Sequence, residues 1–201
     1  MTLVLAIDTA AAQCAVAVFQ GDVALAARRE PMRRGHAERL FPMIEATLAE
    51  ARVAAAALDA VAVCAGPGGF TGARVGVAAA RGLALALGRP AVGVDWFTAL
   101  AAGRAGAVLV TLPAPQGMVH AQRFRDGAAL GPVATLAPDA VRAAPGEALL
   151  GPEAVEAEGL APLARAALRM LAAGAAPRPA PLYLRPPDAA PSRVAVPVML
   201  A

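Results

Sequence analysis

Two short segments carry residue types that could contact phosphate groups. Asp8 and Thr9 directly follow an apolar run at residues 3–7. A glycine-rich loop, GPGGFTG at residues 66–72, follows a second apolar run and precedes a helix-like stretch. A strand, a flexible loop and a helix N-terminus together form a geometry that binds anions. We therefore take Asp8, Thr9, Gly68 and Gly69 as candidate nucleotide contacts.

Both segments lack part of the usual phosphate-binding pattern. No glycine stands between Asp8 and Gln13, so the backbone of this turn has little freedom to approach a phosphate. The loop has no following GK[ST], and Thr71 stands where GxGxxG requires glycine. We therefore expect Asp8 and Thr9 to have a structural role, or at most to contact a nucleotide weakly. The loop is either a tight turn with Thr71 as helix N-cap or an anion contact.

Other catalytic chemistries lack their residues. All 18 basic residues are arginine, which excludes a Walker A lysine and Schiff-base catalysis. His36 and His120 are the two histidines and form no metal-binding pair motif. Ser192 is the single serine, which argues against serine hydrolysis. Cys14 and Cys64 lie in apolar runs, and we expect buried free thiols in a reducing compartment.

Charge and composition bear on partners and location. The net charge is +3 and aromatic residues make up 3% of the chain, which argues against a stacking platform for RNA bases. A small arginine cluster at residues 28, 29, 33 and 34 is either a solvated surface or a phosphate contact. The opening MTLVLAID has no basic region of a signal peptide. We expect a cytoplasmic protein without a membrane span.

Hydrophobic periodicity and turn residues predict the elements. Strands are predicted at residues 3–7, 14–19, 23–28, 61–65, 91–94, 108–112, 119–124 and 130–136. Helical segments are predicted at residues 36–52, 72–87, 95–102, 138–142, 153–158 and 163–173, followed by a proline-rich extended tail at 177–197. Pro42 means that the first helix either starts near Arg39 or kinks. Asp126-Gly127 predicts a hairpin turn.

Each half of the chain begins with three strands before any helix. This order fits an α/β fold of the actin-like (ribonuclease H-like, ASKHA) type with two lobes, which we place at residues 1–103 and 104–201. A Rossmann domain would instead begin with a strand, a glycine-rich loop and a helix.

The helix after the glycine loop is apolar on every side. Its charges are Arg74 and Arg81 alone. We expect one face to pack on the sheet, namely Val75, Ala78, Ala79, Gly82 and Leu85. The opposite side is also apolar, which normally means burial all round. Gly72, Gly76 and Ala80, at spacing four, would admit another helix. The alternative explanation is the alanine bias of the whole chain.

The residues of this region resemble a known family. GPGGFTGARVGV at residues 66–77 is similar to the GPGSFTGLRIG signature of the bacterial TsaB (YeaZ) proteins. The opening at residues 5–10, the segment HAERLFPMI at 36–44 and Tyr-Leu-Arg at 183–185 are also similar to that family. Two departures stand out, because Gly69 replaces the usual serine and PAPQG at residues 113–117 replaces an Asp-Ala-Arg-like segment.

The resemblance implies a non-catalytic subunit in the biosynthesis of threonylcarbamoyladenosine on ANN-decoding tRNAs. It implies a TsaD-like catalytic partner, a TsaE-like ATPase, a homodimer, and tRNA contact only through the complex. It implies no cofactor, or at most weak ATP or ADP at a subunit junction. The partner interface would use two helices, through His36, Arg39, Leu40, Met43, Thr47, Phe70, Arg74, Val77, Ala80, Arg81 and Ala84.

Two rival functions remain open. An actin-like nucleotide-binding enzyme, such as a small-molecule kinase or a peptidase, would bind ATP or a metal tightly. A direct tRNA-binding module would show steep salt dependence of RNA binding.

Overall fold

The computed structural model describes residues 1–184, which form two mixed sheets and a set of covering helices. The strands are β1 (Leu3–Asp8), β2 (Gln13–Gln20), β3 (Val23–Pro31), β4 (Ala60–Gly66), β5 (Ala91–Asp95), β6 (Ala107–Pro113), β7 (Val119–Arg125), β8 (Ala128–Ala129), β9 (Ala134–Leu136) and β10 (Ala148–Leu150). The α-helices are α1 (His36–Ala51), α2 (Phe70–Leu87), α3 (Trp96–Ala101), α4 (Pro152–Glu158) and α5 (Ala161–Ala172).

The two sheets repeat one topology. The first has the order β3-β2-β1-β4-β5, and the second has the order β10-β6-β7-β8 with β9 also paired to β7. In the first sheet β1 is antiparallel to β2 and parallel to β4. In the second sheet β6 is likewise antiparallel to β7 and parallel to β10. This repeated plan is that of the actin-like fold, which confirms the predicted fold class.

Some predicted elements were wrong in detail. The strand expected at residues 130–136 is shortened to β9 at Ala134–Leu136, and β8 ends before it at Ala129. Gly131-Pro132 lies between the two strands because proline cannot donate to a ladder. The segment expected to be helical at 138–142 is a short 3-10 turn, Pro138–Ala140. Helix α1 starts at His36 as the periodicity predicts and continues through Pro42, so the alternative start near Arg39 is wrong. Strand β10 was not predicted.

The first sheet is covered on both faces, because alternate residues of its strands point to opposite sides. Leu5, Ile7 and Val63 belong to the core cluster formed with α1 and α2. Val4 and Ala62 belong to the cluster formed with α3 and α5. Helix α5 comes from the second half of the chain, so the two halves share this core. The division at residue 103 stays a prediction.

A segment after α5 runs along the first sheet. The backbone N–H of Gly93 in β5 donates to the carbonyl of Pro177 at 3.4 Å, and that of Leu182 donates to the carbonyl of Ala65 at 2.8 Å. A Cβ at Gly93 would lie 2.8 Å from Cα of Pro179, so this position requires glycine. The predicted tail at 177–197 extends past residue 184, and that part lies outside the described residues.

Helix α2 is long and apolar enough to cross a membrane by length and composition, and within residues 1–184 no other helix is. In the fold this helix packs against β4, β1 and β5. A core helix passes the same test.

Candidate functional site

Asp8, at the end of β1, is bonded entirely within the chain. The residue is fully buried. One carboxylate oxygen accepts the backbone N–H groups of Ala10 at 2.8 Å and Ala11 at 3.3 Å. The other accepts Gln13 Nε2 at 2.8 Å and Trp96 Nε1 at 3.3 Å. A carboxylate with four donors in a buried position is held as a structural link between β1, β2 and α3.

The glycine loop faces the turn between β1 and β2. The N–H of Gly69 donates to the carbonyl of Ala10 at 2.7 Å. A Cβ built on Gly68 would lie 1.9 Å from that carbonyl oxygen. The glycines therefore make room for the chain's own turn, and the amide of Gly69 is already used by that turn. Thr71 is not the predicted N-cap, because α2 begins at Phe70 with Gly69 in the cap position and no side-chain cap bond.

Thr9, in the same turn, contacts the backbone of α2. Its hydroxyl donates to the carbonyl of Gly72 at 2.7 Å. A Cβ at Gly72 would lie 2.0 Å from the Thr9 carbonyl oxygen, and one at Gly76 would lie 2.4 Å from Thr9 Oγ1. The prediction that the spacing of Gly72, Gly76 and Ala80 admits a second helix was wrong, since the two glycines admit Thr9 and Ala80 is buried.

Most of the residues predicted for the partner interface are buried within the chain. This prediction is wrong for them, because a side chain covered by its own sheet cannot contact another protein. The buried ones are His36, Leu40, Met43, Thr47, Val77, Ala80 and Ala84. The exposed ones are Arg39, Phe70, Arg74 and Arg81. The His36 ring nitrogen Nε2 is buried and has no hydrogen-bond partner within residues 1–184.

The faces of α2 are largely reversed from the prediction, although Ala79 packs into the core as expected. Val77, Ala80 and Ala84 pack into the core below the helix, while Ala78 and Gly82 are exposed and Leu85 is 84% exposed. The reversal follows from the helix being apolar all round, which leaves the sequence pattern without a preferred side. As expected, α2 carries apolar residues that its own chain leaves exposed. They include Ala78, Gly82 and Leu85, which were predicted to face the sheet.

Helix α1 continues this surface. Ion pairs of Arg39 with Glu30 and of Arg28 with Glu50 fix one flank of α1 beside β3. Phe41, 48% exposed, lies on the other flank, toward α2, because successive helical residues turn by about 100°. We call the exposed set on the two helices the helix-pair surface. It comprises Phe41 and Glu45 of α1 and Ala78, Gly82 and Leu85 of α2.

An arginine and two aromatic rings stack at the start of α2. The guanidinium of Arg74 lies 3.6 Å from the ring centroid of Phe70, and its Nε donates to the hydroxyl of Tyr183 at 2.8 Å. The two ring centroids are 5.0 Å apart. The sequence matches Tyr183 to the family, but no sequence pattern predicted its contact with α2.

The Cys64 thiol borders the glycine loop, since its sulfur accepts the backbone N–H of Gly66 at 3.4 Å. Burial raises the pKa of Cys14 to about 11 and that of Cys64 well above its usual value. Both are buried and free, which confirms the predicted state of the thiols. No group of three or more potential metal ligands occurs within residues 1–184.

Comparisons with known proteins agree with this architecture. A sequence model described as TsaD, tRNA N6-adenosine threonylcarbamoyltransferase, matches residues 30–143. An uncharacterised protein of Mycobacterium tuberculosis is 40% identical over 96% of this chain and 97% of its own length. The TsaB protein of Escherichia coli is 36% identical over 58% of this chain and 52% of its own length.

A solved structure extends the similarity over the whole fold. YeaZ from Pseudomonas aeruginosa superposes with a TM-score of 0.73 and 29% sequence identity, covering 92% of this chain and 100% of that chain. The chain therefore belongs to the TsaD-related family of threonylcarbamoyladenosine proteins and, within it, to the TsaB (YeaZ) members.

Proposed function

We propose that this protein is a non-catalytic subunit of a cytoplasmic complex that forms threonylcarbamoyladenosine on tRNA, beside the anticodon of ANN-decoding tRNAs. A TsaD-like subunit would supply the transferase site, and a TsaE-like ATPase would act with the pair. The proposal draws its reaction from family membership. Its non-catalytic part rests on one observation, the close packing of the glycine loop against the chain's own turn at Thr9 and Ala10.

The packing of the glycine loop against the turn at Thr9 and Ala10 argues against nucleotide chemistry in this chain. In an enzyme that transfers phosphate, glycine amides at such a loop donate to the phosphate oxygens. Here Gly69 donates to Ala10 at 2.7 Å, and the Asp8 carboxylate has four donors of its own. An ATP molecule would have to displace buried hydrogen bonds, each of which is costly to leave unmade. At most weak ATP or ADP contact at a subunit junction remains part of the proposal.

The helix-pair surface is the proposed contact with the TsaD-like subunit or with a second copy of this chain. It is apolar at its centre, and Ala78 and Gly82 bring its backbone close to the surface. An obligate or stable partner interface is more apolar than ordinary surface.

A reconstituted assay with a TsaD-like subunit, a TsaE-like ATPase and tRNA tests the role. We expect modification only when this chain is present, and none by this chain alone. Ala78→Arg should weaken partner binding by about 2 kcal/mol or more, since burying an unpaired charge costs several kcal/mol. Ala157→Arg, an exposed alanine of α4, is the matched control and should bind normally.

Three outcomes would contradict the proposal. Full modification without this chain would remove the subunit role. Equal binding by the Ala78→Arg and Ala157→Arg variants would move the interface elsewhere. Calorimetry that found micromolar binding of ATP and Mg²⁺, with hydrolysis by the isolated chain, would favour an actin-like enzyme.

A further inference from the structure

An open groove runs between the second half of α2 and the segment that follows α5. Its volume is about 500 Å³, and Leu85, Pro90 and Pro179 are among its lining residues. Arg81, Arg89 and Arg178 also line it, and no acidic residue of the described part of the chain does. Within residues 1–184, none of these three arginines has a carboxylate within ion-pair distance. The groove therefore presents unneutralised positive charge beside an apolar wall.

The stacked cluster of Phe70, Arg74 and Tyr183 lies along the same flank of α2. The segment after α5 runs antiparallel to the helix, since Arg178 lines the groove beside its last turns and Tyr183 contacts its first turns. Phe70 is 45% exposed and Tyr183 is 47% exposed, so part of each ring is open to a ligand. Charge and aromatic surface are thus aligned along one side of one helix.

The spacing of the charges indicates an extended ligand. Arg74 and Arg81 are seven residues apart in α2, which is about 10 Å at the rise of a helix, and Arg89 follows beyond the end of α2 at Leu87. A single phosphate cannot contact all of them. Arginine binds phosphate oxygens through paired donors. Single-stranded nucleic acid combines a phosphate chain with bases that stack on aromatic rings.

We propose that this groove binds a single-stranded segment of RNA, with phosphates on Arg81, Arg89 and Arg178 and a base on the Phe70–Tyr183 cluster. Within the proposed function, that RNA is the tRNA substrate, and the proposal rests on that function for this identification. The chain would then contact tRNA directly, beyond the expectation of contact only through the complex.

An acidic peptide fits this place less well. A peptide commonly binds by adding a strand to an open sheet edge, and the edge of β5 at Gly93 is covered by Pro177 and Pro179. The groove adjoins the helix-pair surface, because Gly82 and Leu85 line it, whereas Ala78 does not. Arg74 and Arg81 lie on the flank of α2 toward the segment after α5.

Fluorescence anisotropy of a labelled single-stranded RNA oligonucleotide with the full chain tests the groove. The triple variant Arg81→Ala, Arg89→Ala, Arg178→Ala should bind at least about tenfold more weakly, because each lost contact is a charge-assisted hydrogen bond. The slope of log K against log salt should fall by about 2, at about 0.7 for each lost phosphate contact on a single strand.

The matched control removes the same charge elsewhere. Arg52→Ala, Arg125→Ala, Arg142→Ala changes three exposed arginines outside the groove and should keep the affinity and the slope. Tyr183→Ala should weaken binding by about five- to a hundredfold through lost stacking, while Tyr183→Phe should retain most of it. Unchanged circular dichroism of each variant confirms that it folds.

Several results would overturn the proposal. An equal loss in the two triple variants would mean unspecific charge attraction. Competition by AMP as effective as by the oligonucleotide would mean a small-anion site, and binding of a polyglutamate peptide in place of RNA would mean an acidic partner. The RNA measurement needs no partner subunit, so its failure leaves the Ala78→Arg test, and with it the proposed function, untouched.

Discussion

Two glycines of helix α2 allow the contact between Thr9 and the helix to be measured. Gly72→Ala and Gly82→Ala make the same change in the same helix, and alanine favours a helix by about 1 kcal/mol over glycine. A Cβ at Gly82 meets nothing within 4 Å. We therefore expect Gly82→Ala to raise the free energy of unfolding by about 0.5 to 1 kcal/mol.

Gly72→Ala should have the opposite effect. Its Cβ would lie 2.0 Å from the carbonyl oxygen of Thr9, a backbone atom that can move only with the whole turn. Overpacking of this kind costs about 1 to 3 kcal/mol, which exceeds or offsets the gain in helix propensity. The free energies of unfolding of the two variants should therefore differ by about 1 to 3 kcal/mol.

Urea denaturation followed by circular dichroism measures both values. Gly76→Ala gives a further check, because its Cβ would meet a side-chain atom, Thr9 Oγ1, at 2.4 Å. Thr9→Ala removes that atom, so the double variant should be less destabilised than the sum of the two single changes. If Gly72→Ala proved as stable as Gly82→Ala, the turn would not fill the glycine loop, and the argument against nucleotide binding would fail.

Three further predictions concern burial. Asp8→Ala leaves the buried donors of Ala10, Gln13 and Trp96 unpaired and should lower the free energy of unfolding by about 2 to 5 kcal/mol, which chemical denaturation measures; a change below 0.5 kcal/mol would contradict it. Ala80→Arg should prevent folding because Ala80 is fully buried, whereas Ala78→Arg should keep its thermal unfolding midpoint; equal midpoints by scanning calorimetry would reject the assigned faces. With a pKa of about 11, Cys14 is about 0.001 thiolate at pH 8, so a thiol reagent should label the native chain far more slowly than the urea-unfolded chain; labelling at equal rates would refute its burial.

The order of the elements could be predicted from the sequence because strands and turns leave local signals. The run ending at Asp8 and the Asp126-Gly127 turn are examples. Strand β10 has only three residues, too few to show a period of two. The break between β8 and β9 falls at Gly131-Pro132. The apolar residues around this pair made the segment look like one continuous strand.

The candidate site was harder to predict, since it depends on contacts between distant residues. Asp8 could be selected as a candidate from the sequence, but the hydrogen bond that it accepts from Trp96 joins residues 88 positions apart. The orientation of α2 could not be derived from its own residues, because alanine, valine and leucine surround it. Glycine spacing indicated a close approach correctly, but not that Thr9 is the group that approaches.

The packing of α5 against the first sheet has a consequence for synthesis on the ribosome. The amino-terminal strands emerge first, yet Leu163, Ala164 and Ala167, which cover one side of them, emerge about a hundred residues after β4. Until then the nascent chain exposes Val4, Ala62 and their neighbours, surface of the kind that chaperones bind and that aggregates. A fragment ending near residue 103 would keep this surface exposed, so expression of the first half alone should yield insoluble protein.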